Sequence, residues 1–395
     1  MPERMLVRVI AFILSFFIVM TCLSSVYGSE QLPWGTERIR AYCVWDNNRD
    51  MIVDSGSNAG ENVNVAIIDT GIWYWEDNQG GKHYHDDLAD NVRGLTAFQD
   101  QFDGKVIEVD PMPDYWGHGT HCAGVVAAAD NESGVIGGAP KVSLYIIQMI
   151  RGTALECAAA INWSVANGMN IISISWQFPH YEPLRAACQN AYDHDLFIIA
   201  CSGNENSAVS YPAAYDDWVV AVGAVYPNDT RLESSNYGPE LDFVAPGYNV
   251  NSTGLDNGYA LMSGTSAACP HVSAAAALIN SSKIDPDYDI NNNTYWDNDE
   301  ILQKLRDTAL DLGSTEQDDY YGYGLVNAWF PNQRPTGNIN NDLYVNARDA
   351  IIMGLAFGSK PGDQNWDPRA DIDINKIVNA KDSTILGEHF GEVDP

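Results

Sequence analysis

Two histidines and a cysteine lie within five residues of one another in the stretch WGHGTHCAG, residues 116–124. His118, His121 and Cys122 could bind a metal, pack in a core, or place a catalytic base at the start of a helix. A zinc site needs further ligands and commonly a glutamate within the motif, and neither lies near this stretch. The metal interpretation is therefore weak. The glycines on either side of His118 favour a tight turn that leads into a helix.

Three other polar side chains stand where an apolar segment meets a turn or a helix. Asp69 ends the apolar run NVNVAIID, Asn204 follows a second apolar run, and Ser266 opens the Ala-rich segment SAACPHVSAAAALI. A hydroxyl at a helix start lies beside free N–H groups that favour a developing negative charge. Each residue also has an ordinary structural explanation, as a turn Asp, a turn Asn or a helix cap. Together with His118 they supply a nucleophile, a base, a carboxylate and an amide donor.

Apolar β-branched runs alternate with helical patterns through the segment that contains these residues. The runs predict strands at 62–69, 141–149, 169–176, 195–202 and 217–225, and the helical patterns lie at 157–168, 182–195 and 266–279. This alternation predicts an α/β protein with a parallel sheet that is covered by helices on both faces. In such sheets the functional site gathers at the carboxyl ends of the strands, where Asp69 and Asn204 stand.

Four segments of the chain resemble the signature blocks of the subtilisin-like serine proteases. They are IIDTG, GHGTHCAG, SGNEN and GTSAACPHVSAAAALI, and their order places Asp69, His118 and Ser266 in the Asp, His, Ser sequence of that family. The similarity extends from about Gln31 to Phe330. It implies a three-layer fold in which a mostly parallel sheet lies between helices, and a secreted serine endopeptidase that acts on proteins or peptides.

The resemblance also implies a role for each residue of the site. Ser266 corresponds to the nucleophile, His118 to the base that takes its proton, and Asp69 to the carboxylate that orients the imidazole. The Asn204 side chain and the Ser266 backbone N–H correspond to the oxyanion hole. Loss of Asn204 is expected to lower turnover roughly 100- to 1000-fold.

The segment that corresponds to the substrate-binding strand departs from the family pattern. Where the family has Ser-Leu-Gly-Gly, this chain has Ser175, Trp176, Gln177 and then Phe178. We expect Ser175, Trp176, Gln177 and Gly203 to bind substrate. Bulky side chains in place of two glycines predict cleavage that is slower or more selective than in degradative members of the family.

A calcium site is implied by three further segments that resemble those of the family. The side chains of Gln31, Asp87 and Asn131 are the expected ligands, together with the backbone carbonyls of Ala129, Ser133 and Val135. Oxygen ligands from distant segments suit a flexible calcium shell. The alternative is an Asx-rich surface loop.

The last sixty residues contain an internal repeat. NARDAIIMGLAFG, residues 346–358, aligns with NAKDSTILGEHFG, residues 379–391, and each copy follows an Asx-rich run. Oxygen side chains occupy positions 1, 3, 5, 9 and 12 of two predicted calcium loops: Asn338, Asn340, Asp342, Asn346 and Asp349, then Asp371, Asp373, Asn375, Asn379 and Asp382. Leu343 and Lys376 replace the usual turn glycine, and Asn338 replaces an Asp, so the first loop should be the weaker site.

The repeat resembles a dockerin module, a small all-α unit built like half of an EF-hand. The predicted organisation is a signal peptide at 1–28, a catalytic domain at 29–331, a linker at 332–336 and this module at 337–395. Dockerins bind cohesin modules, so a cohesin-bearing scaffold or cell-surface protein is the expected partner. The alternative is a calcium repeat that only stabilises the terminus.

Composition and the first residues indicate an exported protein. The 53 acidic residues exceed the 21 basic ones and give a formal net charge of −32, which argues against nucleic acid as a partner. Arg4 and Arg8 precede an apolar run and then small residues up to Gly28, the pattern of a secretory signal peptide. An uncleaved membrane anchor is the alternative, and it is the only predicted membrane contact. Because the resemblance to the family begins at about Gln31, directly after the predicted signal peptide, we expect no prosegment of the family's usual length between them.

Structural roles are expected for His121 and for three of the cysteines. Cys122 is expected to be a small buried thiol and His121 to pack or hydrogen-bond. Cys157 and Cys188, in separate predicted helices, are the expected disulfide pair.

The overall prediction is an exported, calcium-binding, subtilisin-like serine endopeptidase with a C-terminal dockerin-like module. A catalytically impaired protein of the same fold, in which the dockerin is the functional part, is the main alternative. A hydrolase of esters or small amides is the second alternative.

Overall fold

A computed structural model describes residues 30–46, 52–286, 288–314, 317–329, 347–360, 378–388 and 390–391. The chain divides into two compact units, Met1–Ala328 and Trp329–Pro395. The predicted signal peptide and the predicted linker at 332–336 lie outside the described residues. No helix in the described ranges is both long enough and apolar enough to span a membrane.

The strands of the first unit form an eight-stranded sheet and two small hairpins. In chain order they are β1 (Asn64–Asp69), β2 (Tyr74–Glu76), β3 (Lys82–Tyr84), β4 (Val92–Asp100), β5 (Val106–Val109), β6 (Ser143–Met149), β7 (Ile171–Ile174), β8 (Phe197–Cys201), β9 (Val219–Val225), β10 (Phe243–Pro246), β11 (Val250–Thr253) and β12 (Tyr259–Met262). The sheet order is β10-β9-β8-β7-β1-β6-β4-β5. Only the edge pair β4 and β5 is antiparallel within this sheet. The expectation of a mostly parallel sheet is confirmed.

The five predicted strands are present as β1, β6, β7, β8 and β9, within slightly shorter bounds. Seven further strands, β2 to β5 and β10 to β12, escaped prediction because their sequences lack a long apolar run. β5 is partly exposed, β10 spans four residues and ends in a proline, and β11 and β12 form a short hairpin. Long, fully buried strands therefore carry the clear sequence signal, and short or partly exposed strands do not.

The helices of the first unit are α1 (Trp34–Arg38), α2 (Tyr42–Trp45), α3 (Asp86–Ala89), α4 (His118–Ala127), α5 (Ala154–Ala166), α6 (Glu182–Tyr192), α7 (Thr265–Ser281) and α8 (Asn298–Thr308). β7 shows the two faces of the sheet. Ile172 and Ile174 join the apolar cluster that α5 and α6 cover, whereas Ser173 accepts a hydrogen bond from Ser273 of α7 at 2.9 Å. The sheet therefore lies between two helical layers, as the resemblance implied.

The predicted disulfide between Cys157 and Cys188 is wrong. Cys122, Cys157, Cys188, Cys201 and Cys269 are free, buried thiols, and Cys43 is buried as well. Cys157 and Cys188 pack in the apolar cluster between α5 and α6, and burial raises the pKa of Cys188 to about 12. The thiols therefore stay protonated and pack as small apolar groups.

The second unit contains α9 (Ala347–Ala356) and α10 (Ala380–Glu388), one from each copy of the repeat. Met353, Ala356, Val378 and Leu386 form its apolar cluster. The Gly358 N–H donates to the Val378 carbonyl at 2.8 Å, and the Val378 N–H donates to the Ser359 carbonyl at 3.0 Å. Backbone pairing and side-chain packing thus join the two copies.

Candidate active site

Asp69 occupies the carboxyl end of the central strand β1 and is fully buried. Its Oδ1 accepts the Thr70 N–H at 2.7 Å and lies 2.7 Å from Nδ1 of His118. Its Oδ2 is buried without a hydrogen-bond partner among the described residues. A buried carboxylate with so few donors is available to stabilise a positive charge on the neighbouring imidazole.

His118 is placed by the turn that opens α4. Gly117 has a φ of +77°, a left-handed conformation that glycine adopts without strain. Gly119 packs so tightly on the turn after β1 that a Cβ atom there would lie 2.3 Å from the Gly71 carbonyl oxygen. The Gly119 N–H donates to Thr70 Oγ1 at 2.8 Å. The start of α4 is thus fixed against the end of β1.

Two opposing effects act on the pKa of His118. Burial lowers it, whereas the charge and hydrogen bond of Asp69 raise it, and the net result is a pKa above the ordinary histidine value. The side chain is 27% exposed, so the ring can reach a ligand in the cleft. An imidazole beside a buried carboxylate is well suited to accept a proton.

His121 and Cys122 lie in the first turn of the same helix but face the interior. His121 is buried, with Nε2 2.9 Å from the Val250 carbonyl oxygen, and burial lowers its pKa to about 4. The Cys122 thiol donates to the Ser266 carbonyl at 3.5 Å, and burial raises its pKa well above the ordinary range. Asp69, His118 and Cys122 form a compact group that could hold a metal. Metal ions bind the thiolate form of cysteine, so a thiol that stays protonated is a poor metal ligand.

Ser266 is the second residue of α7, which begins after Gly264 with a φ of +126°. Its hydroxyl donates to the Ser175 carbonyl at 3.1 Å, and its own carbonyl accepts the Ser175 hydroxyl at 2.9 Å. No hydrogen bond joins Ser266 to His118 in the described part of the chain. Ser175 therefore ties the start of α7 to the segment after β7.

Asn204 lies beside the start of α7 and is exposed. Its Oδ1 accepts the Thr265 N–H at 2.9 Å and the Thr265 hydroxyl at 3.2 Å. Because the carbonyl oxygen of the amide is held in this way, Nδ2 is left to donate to a ligand. The Asn204 amide is thus fixed at the start of the helix that carries Ser266.

The four predicted substrate-binding residues differ in what they contact. Ser175 is buried against Ser266, and Trp176 lines a cavity of about 390 Å³ that also includes His118. Gln177 donates to the carboxylate of Glu205. The Gly203 N–H donates to Thr265 Oγ1 at 3.2 Å.

The predicted calcium segments converge away from the cleft. The Gln31 N–H donates to the Gly134 carbonyl at 2.8 Å, and Gln31 forms a parallel bridge with Val135. Asp87 is fully buried, and its carboxylate accepts the Val135 N–H at 3.0 Å and the Asn131 amide at 3.2 Å. The Ala129 N–H also donates to the Asp87 carbonyl at 2.7 Å.

Ser133 is the last of the predicted ligands, and it forms hydrogen bonds with the Asn131 side chain. Its N–H and hydroxyl both donate to Asn131 Oδ1, at 3.1 and 2.9 Å. All six predicted residues thus belong to one small region, and the expected donors in it are oxygens. The region fits a hard cation, because the buried Asp87 carboxylate forms no ion pair with a basic side chain among the described residues.

Most predicted ligands of the C-terminal repeat lie outside the described residues: Asn338, Asn340, Asp342, Asn346, Asp371, Asp373 and Asn375. Asp349 falls within α9. Asp382 is buried and accepts the Asn379 N–H at 2.9 Å, while Asn379 accepts the Lys381 N–H at 2.8 Å. These contacts cap the start of α10.

Sequence reasoning missed two buried residues that position the site. Asp114 accepts the N–H groups of Trp116, Gly117 and Thr120, at 2.9, 3.0 and 3.1 Å, and so shapes the turn before His118. Gln148 donates to the Thr70 carbonyl at 2.8 Å. Gln148 could have been found from the sequence, because it is a single glutamine in the otherwise apolar strand YIIQM.

The geometry defines a serine hydrolase site on a mostly parallel α/β sheet, and comparison with known proteins identifies its family. The model of the Subtilase family, Peptidase_S8, matches residues 60–324. The chain belongs to this family and is a serine endopeptidase of the subtilisin type.

Three relatives illustrate the similarity, and each match covers 76% of this chain. Subtilisin BL of Lederbergia lenta is 37% identical over 307 residues, which are 98% of that protein. The alkaline protease of Shouchella clausii is 36% identical over 307 residues, 70% of its length. Subtilisin E of Bacillus subtilis strain 168 is 34% identical over 309 residues, 71% of its length.

Proposed function

We propose that Ser266 is the nucleophile and that His118 and Asp69 activate it. The Ser266 hydroxyl attacks the scissile carbonyl carbon as its proton passes to Nε2 of His118. The resulting imidazolium is stabilised by Asp69, and it then gives the proton to the leaving amine. Water repeats the sequence on the acyl-enzyme, with His118 again taking a proton, and frees Ser266.

The oxyanion of each tetrahedral intermediate accepts hydrogen bonds from Asn204 Nδ2 and the Ser266 N–H. The start of α7 adds the positive end of its helix dipole. The observation that carries this proposal is the 2.7 Å contact between Asp69 and His118, two residues that are 49 positions apart in the sequence. The buried Asp69 carboxylate is aligned on the partly exposed His118, and Ser266 at the start of α7 hydrogen-bonds Ser175, which lines the same cavity as His118. This arrangement supports acyl transfer.

Covalent labelling with a fluorophosphonate tests the nucleophile. The active protein should acquire one label, and Ser266→Ala should abolish both label and turnover; in subtilisin the equivalent loss is about a million-fold. Ser281→Ala is the matched control, because Ser281 lies on the same helix about 22 Å further along its axis at 1.5 Å per residue. A label that survives in Ser266→Ala would overturn the assignment.

Substrate choice separates the peptidase from the two alternatives. We expect cleavage of casein as well as of peptide esters. Hydrolysis of esters alone would favour the small-substrate hydrolase. A pure protein that is not labelled and does not cleave either substrate would favour the impaired binding protein.

We further propose that Ca²⁺ binds to Gln31, Asp87, Asn131 and the carbonyls of residues 129, 133 and 135. The buried Asp87 carboxylate and the convergence of three segments support this assignment. Bound calcium would neutralise that charge and join the N-terminal segment to the loop after α4. Chelation should lower the unfolding temperature of the wild type more than that of Asp87→Asn. Equal responses in the two proteins would contradict the site.

The C-terminal unit is proposed to be a dockerin-like module of a secreted protein. The internal repeat and the buried Asp382 at a loop position that commonly supplies a bidentate ligand support this proposal. Calcium titration of the full chain should show a component that Asp382→Ala weakens and Asp87→Asn leaves in place. Purified cohesin modules should then bind the wild type only when calcium is present. Calcium-independent binding, or no binding to any cohesin tested, would contradict the tethering role.

A further inference from the structure

The segment from Ser175 to Gln177 presents neighbouring side chains to two different parts of the cleft. Trp176 lines the cavity beside His118, whereas Gln177 donates to Glu205. Alternation of this kind is typical of an extended chain. A substrate that lies along the segment would place successive side chains alternately in the Trp176 cavity and against Gln177.

The Gln177 side of the segment is filled by polar groups. Gly203 has a φ of +108°, and a Cβ atom there would lie 2.4 Å from Gln177 Oε1 and 2.3 Å from Asn236 Nδ2. Glu205 holds this arrangement, because its carboxylate accepts the Asn204 N–H at 3.0 Å and the Asn236 amide at 3.0 Å. A large apolar side chain bound here would have to displace the exposed side chains of Gln177 and Glu205, and it would strip these polar groups of solvent.

The Trp176 side is open and largely apolar. Tyr115 and Trp116 line the cavity and are 72% and 85% exposed, so their rings are available to a ligand. The Trp176 ring packs closely on Gly152, where a Cβ atom would lie 2.5 Å from the ring. Exposed aromatic surface that borders a cleft of this size is typical of a binding site for apolar groups.

We propose that Gln177, which is hydrogen-bonded to Glu205, makes this peptidase cleave after a small residue. The Trp176 cavity favours a bulky aromatic or aliphatic residue one position earlier. The inference rests on the proposed roles of Ser266 and Asn204. The residue that carries the scissile carbonyl lies beside Asn204, and therefore against Gln177. The preceding residue then points toward the Trp176 cavity.

Fluorogenic tetrapeptides that vary at these two positions test the proposal on the full-length protein in calcium. With Ala before the scissile bond, kcat/KM should exceed that of the Phe analogue by about 10- to 100-fold, the range that pocket fit supplies. With Phe in place of Ala one position earlier, kcat/KM should rise by about 10-fold or more.

Two variants separate the two sides. Gln177→Gly should lower the Ala-to-Phe ratio at the first position by about 10-fold, because the side chain that fills the space is removed. Trp176→Ala should remove the aromatic preference at the second position. Tyr295→Ala is the control for loss of an exposed aromatic ring, since Tyr295 lies beyond the far end of α7 and is 59% exposed. Both ratios should stay at the wild-type values in this control.

Active-site titration with the fluorophosphonate is run on every variant. Wild-type protein that is fully labelled but cleaves after Phe as readily as after Ala would overturn the specificity proposal. An unchanged ratio in labelled Gln177→Gly would do the same. Absence of labelling in the wild type would instead refute the Ser266 assignment, so the two failures are distinguishable.

Discussion

The helices of the active site begin differently from a helix at the periphery of the same unit. α8 starts with its own capping box, in which Asp297 accepts the Glu300 N–H at 3.1 Å and Glu300 accepts the Asp297 N–H at 3.1 Å. α4 and α7 start after Gly117 and Gly264, and neither glycine has a side chain that could cap the helix.

Partners from distant segments bind the first N–H groups of the active-site helices instead. Thr70 Oγ1 accepts the Gly119 N–H of α4 at 2.8 Å, and Asn204 Oδ1 accepts the Thr265 N–H of α7 at 2.9 Å. A capping box stabilises a helix wherever that helix lies. A distant partner also fixes where the helix begins relative to a strand end, and His118 and Ser266 need that precision. The position of a helix start and the stability of the helix therefore depend on different contacts.

Among the residues that assist the nucleophile, the largest effect is expected when the carboxylate that faces His118 is changed. Asp69→Asn keeps the shape of the side chain but removes the charge and favours the wrong tautomer of the imidazole. In serine proteases this change costs about 10⁴-fold in kcat. Steady-state hydrolysis of a peptide anilide measures it. Retention of more than a tenth of wild-type kcat would show that Asp69 is not the orienting carboxylate.

The same pair sets the pH dependence of activity. His118 must be neutral to take the proton, and its pKa is raised because the interactions with Asp69 outweigh burial. Activity should therefore fall as the pH decreases through a value above the ordinary histidine pKa of about 6.5. In Asp69→Asn the acid limb of kcat/KM should move to lower pH, because the charge that favours imidazolium is lost. Coincident acid limbs in the two proteins would contradict this assignment.

Removal of the oxyanion donor is expected to have the next largest effect. Asn204→Ala should lower kcat by about 100- to 1000-fold, the magnitude measured for this donor in subtilisin, with a smaller change in KM. Asn204 also caps Thr265, so the unfolding temperature is measured in parallel. An equal change in KM and none in kcat would indicate ground-state binding instead.

Asp114 is expected to act by positioning. Asp114→Ala releases the turn before His118, and a misplacement of about 1 Å can cost up to about 100-fold in kcat. Asp114→Asn should restore part of the activity, since its amide oxygen can accept the same N–H groups. A protein that loses stability but keeps wild-type kcat would assign Asp114 a purely structural role.

The smallest effect is expected at the periphery. Asp297→Ala removes the cap of α8 and should lower the free energy of unfolding by about 1 kcal/mol. Its kcat/KM below the unfolding transition should equal that of the wild type. A loss of activity as large as that of Asp114→Ala would show that the cap of α8 also positions the active site, and it would contradict the comparison.

The features that could be predicted from the sequence are those that depend on local sequence patterns. Buried strands such as β8 show continuous apolar runs, and Asp69 and Ser266 stand at recognisable ends of such segments. The contacts of Asn204 with the start of α7 and of Thr70 with the start of α4 could not be predicted, because each joins residues far apart in the sequence. The contact between Gln177 and Glu205 was missed for the same reason, since 28 positions separate the two residues. The disulfide prediction failed because cysteines in neighbouring helices can pack as free thiols.

A crystal structure of the fluorophosphonate adduct would test the central claim most directly. The phosphorus should be bonded to Ser266 Oγ, with a phosphoryl oxygen about 2.7–3.1 Å from both Asn204 Nδ2 and the Ser266 N–H nitrogen. The hydrogen bond from Ser266 to Ser175 should then be absent, and Nε2 of His118 should face the adduct. An adduct on another residue, or a phosphoryl oxygen directed away from Asn204, would contradict the account.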